Sequence, residues 1–242
     1  MSRIIGVFLL CCGFFLLLLS SPSLFLHIRE HLLSYSFETR YELLPVPTKE
    51  PGMFAYANET DFHGNRIAFS DSIIGKDEEW KNGNVRITIN GFDYSHSAEA
   101  VIRPNYRDSN RYHGYLALVE LVDKKKKTSL MAVIQRIDSV ESPPIMEKLQ
   151  WRLLLVSMDG TVTEEIFSYK DRGSPLYRAR LANFATPIAV GFQSDVLNFW
   201  PTIFYPFLFP YISGFLGFLF LFMGFVISRR AKLRYNRKHP LH

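Results

Sequence analysis

Two uncharged apolar runs bracket this chain and decide what it can fold into. The first covers Ile4 to Leu26 and the second Val196 to Ser228. At roughly 1.5 Å per helical residue, each is long enough to cross a hydrocarbon core of about 30 Å. The sequence therefore predicts a membrane protein in which two transmembrane helices flank one domain. The boundaries are a short N-terminus (1–3), a first span (4–26), a domain (27–195), an interfacial segment (196–209), a second span (210–228) and a basic tail (229–242).

Charge sets the expected orientation. The formal charge of +5 resides at the ends, because between the runs 21 Lys and Arg stand against 23 Asp and Glu. Arg3 precedes the first run, and Arg229, Arg230, Lys232, Arg234, Arg237 and Lys238 follow the second with no acid among them. Basic residues close to span ends favour the cytoplasmic side. Both termini are thus expected in the cytoplasm and the domain outside it: periplasmic in a bacterium, lumenal or extracellular in a eukaryote. The high pI is the positive-inside pattern and does not point to nucleic acid. The tail is also a candidate for anionic lipid headgroups.

The first run is read as an uncleaved anchor, since Leu24, Phe25 and Leu26 extend it to a full span. The alternative is a signal peptide processed near Ser21 or Ser23. Either puts the domain on the same side. Cys11 and Cys12 are the only cysteines, and both lie in this run. The domain is expected to hold together by its own core without disulfides, and the two thiols are read as soft apolar residues, with palmitoylation as the alternative.

The second run is too long for one span. Its 33 residues amount to about 50 Å of helix. Phe199, Trp200, Pro201, Phe204, Tyr205, Pro206, Pro210 and Tyr211 crowd its outer end; proline interrupts helices and aromatic rings prefer the headgroup region. Residues 196–209 are therefore read as interfacial or re-entrant. Gly214, Gly217 and Gly224 give the span proper a thin face for close helix packing, with the first span, which carries Gly6 and Gly13, as the simplest partner.

The proline-rich approach to a glycine-containing final span, together with an N-terminal span, resembles the bacterial chain-length regulators of surface polysaccharide. The resemblance covers Pro201 to Gly224 and the two-span layout. Those proteins carry a larger exported domain with long helices, whereas this chain shows mainly strand patterns.

Within the domain, His27 to Tyr35 reads as a helical continuation, with strands from Phe37 onward. Asn84 to Asn90 alternates apolar and polar residues as a half-buried strand does. Tyr112–Val122 and Ser129–Ile137 read as a hairpin around a solvated tip of Lys124 to Lys127. Gln150–Met158 and Thr161–Tyr169 flank Asp159-Gly160, a strong hairpin signal. A strand is expected over Tyr177–Phe184 or on to Val190, and one short helix over Ile145–Gln150. Seven or eight mainly antiparallel strands predict a β-sandwich or an open barrel.

Motifs for chemistry are sparse. His63, His96 and His113 match no metal-ligand spacing. No serine lies in a nucleophile motif, and no phosphate-binding glycine loop occurs. Glu78-Glu79 and Glu164-Glu165 are adjacent, so on a strand they point to opposite faces. Neither span contains Asp, Glu, Lys or Arg, which argues against transport by this chain alone. Asn58-Glu-Thr60 is a glycosylation acceptor if the host is eukaryotic. No cofactor is expected.

Three functions are compatible with this. The first is a non-enzymatic accessory or scaffold whose domain binds a protein or envelope partner while the spans contact lipid and dock a membrane complex or a second copy. The second is a membrane-surface enzyme for lipid or glycan, with His63, Asp93, His96 and His113 lining one pocket. The third is a receptor that depends on a separate signalling partner.

Overall fold

The computed structural model describes residues 2–46, 59–74, 81–103, 111–112, 114–138, 146–186, 188–193 and 207–238. Two long apolar helices flank a mainly antiparallel β-region, and the chain divides into two compact units: residues 1–32 with 196–242, and residues 33–195.

The first unit pairs helix α1 (Ser2–Arg40), through its residues up to 32, with α2 (Ser213–Lys238). Both helices are long and apolar enough to span a membrane. Along α1, Gly6, Gly13, Ser20 and His27 recur every seven residues, and all four are buried. Opposite them, a Cβ on Gly13 would stand 2.7 Å from the Gly217 carbonyl oxygen, and one on Gly224 2.9 Å from that of Gly6. Only residues without side chains let two backbones come so close. The Ser20 and Ser213 hydroxyls share a hydrogen bond of 2.7 Å, and the His27 and Tyr211 rings meet edge to face at 5.5 Å. Pro22 lies inside α1 and cannot donate to Leu18; the Ser21 hydroxyl donates to that carbonyl at 3.4 Å instead.

In the second unit, α1 continues to Arg40 where strands were expected from Phe37, because Leu33 and Phe37 supply an apolar helical face. Strand β1 (Tyr41–Pro45) follows at once and forms the edge of a five-stranded sheet in the order β1-β7-β8-β9-β10. Its other members are β7 (Leu116–Asp123), β8 (Thr128–Arg136), β9 (Gln150–Ser157) and β10 (Val162–Ser168). The second sheet has the order β2-β3-β4-β5, from β2 (Glu59–Phe62), β3 (Asn65–Ile74), β4 (Lys81–Ile89) and β5 (Phe92–Asp93). Strand β6 (Glu99–Ile102) takes the far end of the β4 edge that β5 begins.

The alternation of β4 turns Val85, Ile87 and Ile89 onto Leu118, Met131, Val133, Leu154 and Val156 of the first sheet, forming one core. The first sheet is buried on its other face too, where Val119, Ile134, Trp151, Leu153 and Phe167 meet Phe37 and a short cover helix over Tyr177–Ala182. A strand was expected there. The segment instead carries the strong helix formers Arg178, Ala179, Arg180, Leu181 and Ala182 shortly after Pro175, and buries Ala179, Leu181 and Ala182. The Trp151 indole donates to the Ala185 carbonyl at 3.2 Å and locks the cover on.

Candidate functional site

Of the residues expected at the membrane junction, Phe199, Trp200, Pro201, Phe204, Tyr205 and Pro206 lie outside the described residues. Pro210 and Tyr211 belong to a turn over Phe207–Ile212, in which Phe209 is extended (φ −136°, ψ 126°), so the continuous helix begins after it. Gly214, Gly217 and Gly224 are buried: a Cβ on Gly214 would meet the Leu24 side chain at 2.7 Å, and one on Gly217 the backbone of Leu17 at 3.0 Å. Arg229, Arg230, Lys232, Arg234, Arg237 and Lys238 occupy the last turns of α2.

The histidines that the enzyme alternative needs in one pocket do not form one group among the described residues. His63 sits at the β2–β3 turn with its ring against Phe62, at 4.7 Å. His113 lies outside the described residues, as do Asn58 and the pair Glu78-Glu79. His96 and Asp93 do share a cleft of about 450 Å³, with Asp71, Arg86, Ser95 and Ser97. The cleft exists because the chain leaves β4 between β5 and β6; the Ser95 hydroxyl accepts from the Ile87 N–H at 3.2 Å in place of a strand carbonyl.

Asp71, Asp93 and His96 of this cleft are each already hydrogen-bonded. Asp71 takes the Arg111 guanidinium on both oxygens, at 2.6 and 2.9 Å, and the Tyr112 hydroxyl at 2.5 Å. Burial works to raise the Asp71 pKa, but those donors outweigh it and hold the carboxyl below its ordinary range. Asp93 accepts from the Ser95 hydroxyl and N–H and from Arg86, which together also hold it low. The His96 Nδ1 accepts from the Ala98 N–H at 3.0 Å. Among the described residues, no serine hydroxyl is hydrogen-bonded to His96.

Glu164 and Glu165 point to opposite faces of β10, as adjacent strand residues must. Glu164 takes the buried Arg152 at 2.7 Å, and Arg152 also donates to the Tyr94 carbonyl of the other sheet. Glu165 accepts from the Tyr177 hydroxyl at 2.7 Å and from Arg178 at 3.0 Å. Burial first, then Glu165, push the Tyr177 phenol well above its usual pKa.

A second cavity, a groove of about 470 Å³, lies beside β1 and the cover helix. Phe37, Tyr41, Leu43 and Phe184 give it an apolar wall, and Arg180 and Lys124 stand in the same lining. The Lys124–Lys127 tip is fixed beside it. The Asp123 carboxylate accepts the N–H groups of Lys125 and Lys126, each at 3.0 Å, and Lys124 donates through its backbone to the Arg40 carbonyl at 2.8 Å. Sequence reading registered the lysines but not the groove, whose walls come from residues more than 140 positions apart.

No family model, curated protein or solved structure matches this chain.

Proposed function

We propose that this chain is a two-span membrane protein of accessory or scaffold type. Both termini lie in the cytoplasm, and a β-sandwich domain outside it binds a protein or envelope partner while the spans dock a membrane complex. The observation that carries this reading is the series Gly6, Gly13, Ser20 and His27, spaced seven residues apart and buried against α2. It commits the two apolar helices to each other as a hairpin anchor and turns Phe215, Phe218, Phe222 and Phe225 outward, where lipid or a neighbouring span can cover them. In the domain, the carboxylates whose pKa is displaced among the described residues are all displaced downward, by partners that bind the charged form. Such groups serve structure better than they serve as proton donors near neutral pH.

Gentle solubilisation of the full chain followed by affinity purification tests the reading. A reproducible membrane-protein partner is expected, lost on Gly13→Ile because that side chain forces the helix pair apart. Recovery of the chain alone in every preparation contradicts it. The cleft of His96 and Asp93 favours a second reading, a membrane-surface enzyme acting on lipid or glycan. Lipid or glycan turnover by the purified chain that His96→Ala abolishes would establish that reading instead.

A further inference from the structure

We propose that the groove beside β1 binds an anionic phospholipid of the surrounding bilayer, its phosphate at Arg180 and the lysine tip and its upper chain along the apolar wall. This rests on the reading that the chain spans a membrane.

The chain enters and leaves the domain beside the groove. It enters at Leu33 and its described part ends at Gln193, and at these two ends Phe37 and Phe192 lie 6.3 Å apart. The Arg180 guanidinium lies over both rings, at 5.8 and 5.1 Å. The exit is pinned there: Arg172 donates to the Gly191 carbonyl at 2.7 Å, and the Asn183 carboxamide both donates to and accepts from the Val190 backbone. The described entry and exit of the domain therefore lie side by side, next to the groove that Phe37 and Arg180 help to line. Arg40 is 14 residues past Leu26, no more than about 21 Å of helix. Headgroups extend several ångströms beyond the hydrocarbon, and a lysine side chain several more in the opposite direction.

Phe37, Tyr41, Leu43 and Phe184 form an apolar wall, which suits a hydrocarbon chain, while Arg180 and Lys124 suit a phosphate. Lys124 to Lys127 are all exposed yet carried on a turn that Asp123 fixes, so they form a basic rim held in one place. The acids nearby compete weakly: Glu38 stands 3.7 Å from Arg180 and Glu42 3.8 Å from Lys124, and both pairs are substantially exposed. A free phosphate would use the cations and leave the wall empty. An amphiphile uses both.

The full-length protein carrying a benzophenone amino acid in place of Phe184 tests this in nanodiscs of phosphatidylcholine with and without phosphatidylglycerol. Irradiation should attach phosphatidylglycerol in preference to phosphatidylcholine by about tenfold, and Lys125→Gln, Lys126→Gln and Lys127→Gln together should cut that adduct by about the same factor. The triple variant should unfold at the wild-type temperature, so loss of the adduct is not loss of fold. Equal capture of both lipids, capture unaffected by the lysine changes, capture of a protein instead, or suppression by millimolar inorganic phosphate would each overturn the proposal. Alkaline carbonate extraction of the source membranes separates the two readings. Protein that extracts like a peripheral one defeats the membrane reading, whereas protein that stays and takes no lipid defeats the groove alone.

Discussion

The two ends of the β-domain are held by different chemistry. At the end where α1 passes into β1, neutral amides tie the turns of both sheets together. The buried Asn65 carboxamide donates to the Phe62, Ser157 and Met158 carbonyls and accepts from Asn90, whose own oxygen accepts the Arg66 N–H. These bonds serve turns that need left-handed backbone, at His63, Gly64, Asn90, Gly91 and Gly160. Toward the opposite end, charge takes over. Asp71 binds Arg111 and Tyr112, and the buried Arg136 binds Asp138 at 2.8 Å beneath the Tyr115 ring. Close by in the register, Gln135 is 2% exposed, with neither atom of its carboxamide hydrogen-bonded. The amide ties do not titrate and the Asp71 pair does, although Asp123 and Asp159 at the first end are also held low, and either set of ties can be broken.

The largest effect is expected from Arg111→Ala, which strands the Asp71 carboxylate and should cost about 2–4 kcal/mol in denaturant unfolding. Adding Asp71→Asn should recover much of that loss, because the stranded charge is gone. At the other end, Asn65→Ala should cost about 2 kcal/mol by leaving strand and turn carbonyls unpaired, and its cost should be the same at pH 7 and pH 4. The pH dependence itself follows from Asp71. Its folded pKa lies below the unfolded value, so its contribution is complete above about pH 4 and is lost as pH falls through the folded value. Asp71→Asn should flatten the acid limb of the stability profile. Gln135→Met should be neutral or stabilise by about 1 kcal/mol, since it removes a buried amide without partners. Lys126→Gln should change stability by less than about 0.5 kcal/mol, which leaves the lysine tip free to be read for binding alone.

Local pattern made part of this legible. The apolar runs, the alternation of Asn84 to Asn90 and the Asp159-Gly160 turn are each written in a few consecutive residues, and helices or strands stand at each. The cover helix was misread because Tyr177 and Phe184 look like strand residues. The better signal was Pro175 followed by Arg178 to Ala182. The β2–β3 hairpin was overlooked although Asp61 and Gly64 mark it; the Asp61 carboxylate accepts the Gly64 N–H at 3.0 Å. Other features depend on partners far away in the chain. Asn65 meets the β9–β10 turn 92 residues on, and Arg180 meets Ser34 across 146. In the same way the first sheet reads as two-sided only once its second cover is known: Trp151 to Val156 are six consecutive buried residues, with no alternation to read.

The proposed lipid site requires the groove and the lysine tip to lie at the headgroups of the bilayer. Nitroxides at Lys126→Cys and at Glu147→Cys, in a Cys11→Ser, Cys12→Ser background, mark the two ends of a first-sheet strand pair about 25 Å long. In nanodiscs containing a nickel-chelating lipid, the label at 126 should relax markedly faster than in nickel-free discs, and the label at 147 should scarcely change. Equal enhancement at both positions, or a stronger effect at 147, would contradict the claim.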